Sequence, residues 1–78
     1  MTRIYMTHVD PDQNMARFYT MSLQADLFGE WSLVREWGRI GRGGQVQVNS
    51  FPAIETAKSA LERILKAKLK GGYSTHAS

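Results

Sequence analysis

From residue 3 to residue 49 the side chains follow the period of two of a β-strand, in four runs separated by turn residues. From residue 54 to residue 69 they follow the period of a helix. Short links between consecutive strands imply antiparallel pairing, and a single late helix has to bury its apolar stripe against the sheet. The expected fold is α+β: a four-stranded antiparallel sheet covered on one face by one C-terminal helix.

The first run, 3–9, is rich in β-formers, and 10–14 is a loop dense in turn residues. In the second, 15–27, Tyr19, Met21, Leu23 and Ala25 share one face and Thr20, Ser22 and Gln24 the other. Gly29 supplies the positive φ of a hairpin turn. The third run, 31–40, puts Trp31 and Leu33 on one face and Val34 on the other. Either both faces are partly covered or a bulge shifts the register. The fourth, 45–49, alternates cleanly and turns Val46 and Val48 inward.

Pro52 suits the first turn of the helix, with Asn49 or Ser50 placed to cap it. Ile54, Ala57, Leu61, Ile64, Leu65 and Leu69 recur on one helical face, and Lys58, Glu62, Lys66 and Lys70 line the opposite one. Gly71-Gly72 stops the helix and Tyr73 folds back onto the body. Residues 1–73 then form one domain, and 74–78 a flexible tail.

Seventy-eight residues hold one small core and leave no room for a second. The absence of cysteine excludes disulfides and thiolate zinc sites. His8 and His76 sit at opposite ends of the chain, so no metal or other cofactor is expected. The core holds by packing alone, helped by any self-association. No apolar run leads to a small-residue cleavage site, and none approaches the length of a membrane span. A cytoplasmic location without a membrane partner is the expectation. Catalysis is not expected either: no serine lies in a nucleophile-elbow context, and Asp10 and Asp12 read as turn chemistry rather than a paired acid and base.

Net charge is +3, from ten Lys and Arg against seven Asp and Glu, and its distribution says more than its size. Residues 35–42 hold three arginines and one acid; 63–70 hold four cations and no acid. The acids gather instead at turn-like positions, Asp10, Asp12, Asp26 and Glu30. Two basic segments on one small body make a patch for a polyanion.

Two tryptophans, three arginines and four glycines crowd into residues 31–44. Trp31 opens an alternating run beside Leu33 and reads as core. Trp37 has two readings. It is either core as well, or an indole partly exposed beside guanidinium groups, a platform on which a base or sugar stacks while Arg39 and Arg42 hold phosphate. Gly38 after it marks a bulge or a close backbone approach. The glycines do not have the spacing of a phosphate-binding loop and lead into a strand rather than a helix, so dinucleotide and triphosphate binding are rejected.

The segment Trp37-Gly38-Arg39, preceded by Trp31 and by the strand Arg17-Phe18-Tyr19-Thr20-Met21-Ser22-Leu23, resembles the signature of the WGR domain. The helix ending in Lys66-Ala67-Lys68-Leu69-Lys70-Gly71-Gly72-Tyr73 is similar to that family's closing lysine-rich helix. The domain occurs in DNA-dependent poly(ADP-ribose) polymerases and in short stand-alone bacterial proteins. The resemblance implies an antiparallel sheet with one long helix. It implies that Trp37 stacks on a nucleotide, Arg39 binds phosphate or a partner, and Gly38 permits close approach. Lys66, Lys68 and Lys70 are lesser contacts. No transferase domain, zinc finger or regulatory helical domain lies within these residues for the module to activate in cis. The expected function is nucleic-acid binding, DNA rather than RNA, at ends, nicks or single-stranded junctions, through Trp37, Gly38, Arg39, Arg42, Lys66 and Lys70. The alternative is a protein-interaction adaptor or homo-oligomer using the same surface.

Overall fold

The computed structural model describes residues 2–76. Within them the order is β1 (Thr2–Asp10), a 3-10 turn (Pro11–Gln13), β2 (Met15–Ala25), β3 (Trp31–Arg39), β4 (Gln45–Phe51), α1 (Ile54–Lys70) and β5 (Ser74–Thr75). The strands form one sheet in the order β4-β3-β2-β1-β5, and all neighbours are antiparallel. The sheet has five strands rather than the expected four. Ser74 and Thr75 pair with Thr7 and Met6 of β1, where a flexible tail was expected. Helix termination explains the difference. Gly72 adopts φ +106°, the Gly72 amide donates to the Leu69 carbonyl and the Tyr73 amide to the Lys68 carbonyl. This closure reverses the chain and lays it along β1, whose outer backbone groups gain partners. The His76 amide then donates to the Tyr5 carbonyl, and the His76 ring hydrogen-bonds the Thr7 hydroxyl at 2.6 Å. The rest of the expected tail, residues 77 and 78, lies outside the described residues.

The register of β2 against β3 runs unbroken from Ala25 opposite Trp31 to Arg17 opposite Arg39, with no bulge. Period-two alternation therefore holds along the whole of β3. The core is Met6, Tyr19, Met21, Leu23 and Leu33 from the sheet with Ala57, Ala60 and Leu61 from α1. Alanine at two of the three buried helix positions keeps side-chain bulk out of the contact and lets α1 lie close on the strands. Trp31, Phe51, Ile64, Leu65 and Tyr73 pack around this centre.

Only one face of the sheet is covered by the helix. Val46 and Val48, expected inward, lie on the open face and are 60% and 56% exposed. Their placement follows from register: Phe51 pairs with Trp31 over the core, and counting back in twos turns Asn49, Gln47 and Gln45 to the helix side. Val34 stands opposite Val48 on the same open face. At the start of α1 the cap residue is Ala53, in extended backbone and without a side-chain cap bond. Pro52 precedes the cap rather than occupying the first turn, and Asn49 and Ser50 belong to β4, out of capping position. The helix lacks the apolar length to cross a membrane.

The β2–β3 hairpin is closed at Asp26, whose amide donates to the Glu30 carbonyl at 2.9 Å and whose side chain ties the turn. An Asp26 carboxylate oxygen accepts from the Phe28 and Glu30 amides at 2.8 and 2.9 Å, while Gly29 takes φ +81°. Asp26→Ala is expected to lower the free energy of urea unfolding by about 1 kcal/mol, as the loss of a comparable helix cap does, with the slope against urea unchanged.

Candidate nucleic-acid interface

On β3 the residues facing the helix side are Trp31, Leu33, Arg35, Trp37 and Arg39. Cover by α1 is complete at Leu33, which is 1% exposed, and gives way beyond it. The sheet continues past that limit, and its helix-side positions change from aliphatic to aromatic and cationic. The result is a groove of about 720 Å³. Its walls are Arg17 and Tyr19 of β2, Arg35, Trp37, Gly38 and Arg39 of β3, Gln47 of β4, Lys68 of α1 and Tyr73. Four of these side chains are cations and none is a carboxylate.

An aromatic floor organises the groove. Trp37 stands directly across from Tyr19 in the register, and the rings stack with centroids 5.8 Å apart and planes inclined by 19°. Tyr19 is buried, whereas Trp37 is half-buried: it packs on the edge of the core and also lines the groove. The Arg35 guanidinium lies 5.9 Å from the Trp37 ring centroid and donates to the Tyr19 hydroxyl at 3.3 Å and to the Asn49 side-chain oxygen at 3.1 Å. Its Nε is buried without a partner. Across the floor, the Lys68 ammonium sits 4.5 Å from the Tyr19 ring centroid and 5.5 Å from that of Tyr73. Two cations thus lie against an electron-rich ring pair, which attracts them.

At the open end, Arg17 and Arg39 stand directly opposite each other across β2 and β3. Like charges at such a cross-strand position destabilise a sheet unless an anion lies between them. Arg39 is oriented by Asn14, its guanidinium donating to the Asn14 carbonyl at 3.2 Å and side-chain oxygen at 3.4 Å. Asn14 itself takes φ +51°, a backbone conformation that asparagine tolerates better than most residues.

Of the six residues that the sequence singles out, the structure brings Trp37, Gly38 and Arg39 together in the groove. Arg42 sits exposed in the turn after β3, and Lys66 and Lys70 are exposed on the outward stripe of α1; none of these three lines the groove. Lys68 does, because it lies two helical turns beyond Leu61 and so extends the buried stripe past the end of the core. The close approach expected at Gly38 is made by the chain itself: a Cβ there would lie 2.9 Å from the Gly44 Cα and 3.4 Å from the Phe18 ring. Arg17, Tyr19, Arg35, Gln47 and Tyr73 were not among the expected site residues. Strand parity carries the signal for the first three, since Arg35 and Arg39 alternate with Trp37 and Arg17 alternates with Tyr19. Gln47 and Tyr73 reach the groove through register and the reversal at Gly72, which only the tertiary fold supplies.

An antiparallel sheet with one helix across it, and a tryptophan-arginine groove where that helix ends, defines a small α+β domain with a cationic, aromatic-floored surface. Residues 2–78 match the WGR domain family, and the chain belongs to it. It is 45% identical over 71 residues to an uncharacterised protein, y4dW, of Sinorhizobium fredii, covering 91% of this chain and 35% of that one. It is 30% identical over 63 residues to the human protein mono-ADP-ribosyltransferase PARP3, covering 81% of this chain and 12% of that one. The chain thus spans about a third of the first relative's length and about an eighth of the second's. The transfer reaction in the second name is a statement about that whole protein.

Proposed function

We propose that this domain binds nucleic acid in the groove at the end of α1, with DNA ends, nicks or single-stranded junctions preferred over intact duplex. The observation that carries the reading is the facing pair Arg17 and Arg39 beside the Trp37 ring, with no carboxylate in the groove. In this reading a nucleotide stacks on the exposed part of Trp37, and Arg17, Arg39 and Lys68 contact its phosphates. Arg35 is tied to Tyr19 and Asn49, so it holds the floor in shape and adds charge. Gly38 acts through the fold, by admitting Gly44. Arg42, Lys66 and Lys70 add to the positive potential from outside the groove. Preference for ends follows from shape: a base must leave the duplex stack to lie on an indole, and α1 is packed on the sheet rather than presented to a major groove. Membership of the WGR family, which the sequence already likens to a module of DNA-dependent polymerases, supports the same reading.

The number of cations in the groove sets the expected strength. Three or four phosphate contacts give weak binding, with Kd on the order of 10⁻⁴–10⁻⁶ M at physiological salt. On duplex with an open end, log K is expected to fall against log salt with a slope of about −3. Fluorescence anisotropy with blunt, nicked and single-stranded DNA over a range of salt measures both quantities. Binding to none of the three at low salt would remove the proposal and leave a protein ligand for the same surface. Equal affinity for closed circular duplex and for ends would remove the preference for ends.

A further inference from the structure

The two edges of the sheet differ. At one edge, β5 contributes only the two residues Ser74 and Thr75, paired to Thr7 and Met6, and the rest of β1 beside it carries the polar and charged residues Arg3, His8 and Asp10. Such short edge strands offer little to a passing chain. At the other, β4 presents the seven residues Gln45–Phe51 with one side paired to β3 and the other side unpaired. Proteins protect edges of that length with lysine, inward-pointing charge, proline or a bulge. The strand β4 has none of these: its sequence, Gln-Val-Gln-Val-Asn-Ser-Phe, is free of charge and proline, and its pairing to β3 is continuous. In a chain of net charge +3, an uncharged outer strand is where a second copy meets the least repulsion.

We infer that β4 is a self-association edge, pairing antiparallel with β4 of a second copy about a two-fold axis through Gln47. The self-complementarity of the strand carries this choice of partner. With Gln47 opposite Gln47, Val46 of each copy stands opposite Val48 of the other on the open face, and Gln45 stands opposite Asn49 on the helix side. Apolar meets apolar and amide meets amide at every central position, which is what an isologous two-fold interface requires. Val46 and Val48, 60% and 56% exposed in the single chain, each gain an apolar cross-strand neighbour by this pairing. The interface lies at the small end of protein interfaces, so the dimer is weak and concentration-dependent. It keeps the groove open, since only Gln47 belongs to both surfaces.

Sedimentation equilibrium of the full chain, run to millimolar concentration, tests the inference. The mass is expected to rise from 8.8 kDa toward twice that value. Val46→Lys places two lysine–Val48 mismatches in the interface and sets the new cation against Glu36 of its own chain, its cross-strand neighbour. The fold is thereby kept, as circular dichroism should confirm, and association is expected to weaken at least tenfold. Adding Val48→Glu to Val46→Lys puts a carboxylate opposite each lysine and should restore it. Val9→Lys, at a 57% exposed position of β1 on the same open face but three strands away from β4, should leave association unchanged. A wild-type mass of 8.8 kDa throughout overturns the inference. So does a dimer indifferent to Val46→Lys, or one broken by Val9→Lys, which would mean stacking through the open faces instead. Nucleic-acid binding is read separately and does not enter this result.

Discussion

Trp37→Leu is expected to weaken binding of single-stranded DNA by about five- to a hundred-and-fifty-fold, because stacking of one base on an aromatic ring is worth about 1–3 kcal/mol. Leucine is the informative replacement. Trp37 has two roles, as the edge of the core and as the floor of the groove. Alanine would remove both, and the cavity beside Tyr19 would cost about 3–5 kcal/mol, enough to unfold a domain of this size. Leucine keeps an apolar contact against Tyr19 and gives up the flat ring. Anisotropy at low salt gives the affinity, and a thermal melt on the same sample shows whether the fold is kept. A folded variant with unchanged affinity would take the indole out of the interface and leave its role in the core alone. A loss of affinity shared by Arg17→Gln, with a smaller salt slope in that variant only, would separate stacking from phosphate contact.

The two roles of Trp37 also explain what the sequence made legible. Alternation in β2 and the helical stripe of α1 place Tyr19, Met21, Leu23, Ala57 and Leu61 in the core without any knowledge of the partner surface. Alternation cannot say which face is covered when both faces carry apolar residues, as in β3 and β4. There, Val46 and Val48 look like core positions because valine suits any pleated surface, and only the pairing of Phe51 with Trp31 fixes them outward. The same parity, carried consistently from Leu33 to Arg39, puts Arg35 beside Trp37 and so holds part of the groove. The lysines of α1 were legible as candidate contacts, but the sequence put Lys66 and Lys70 ahead of Lys68, the one that lines the groove. Lys66 and Lys70 differ from Lys68 only in helical phase, and phase matters only once the end of the core is known. Tyr73 and β5 depend on the closure at Gly72, a backbone event that composition signals and cannot aim.

The cation–aromatic arrangement also shows why so small a domain can carry a charged groove. Arg35 and Lys68 both lie against the rings of the floor, so the stems of these cations cover apolar surface while their charge stays at the groove. Arg17 and Arg39 have no such compensation and face each other at the rim. Local consistency fails at that pair, which is the reason the proposed phosphate contacts are placed there.

Gly44→Ala is expected to cost about 3 kcal/mol or more, because its added Cβ makes the closest approach among the glycines of this chain. A Cβ on Gly44 would lie 2.3 Å from the Trp37 carbonyl oxygen and 2.9 Å from both the Trp37 carbonyl carbon and the Phe18 ring. Two of those three atoms are backbone, and the ladder that starts at the pair Trp37 and Gln45 holds them in place. Relief therefore requires moving the end of β3, and the indole of Trp37 moves with it. Gly43→Ala is the control one residue away: nothing lies within 4 Å of its added Cβ, so its cost should stay within about 0.5 kcal/mol. Urea unfolding of the two variants should differ accordingly, and any folded remainder of Gly44→Ala should bind DNA less well than its stability alone predicts. Equal stability of the two variants would mean that the turn between β3 and β4 does not cross over Gly38. The glycine of the tryptophan-glycine-arginine signature would then lack its structural reason. If the difference appears, Gly38 and Gly44 act as one device: two missing side chains that let the chain close behind Trp37 and hold its ring toward the groove.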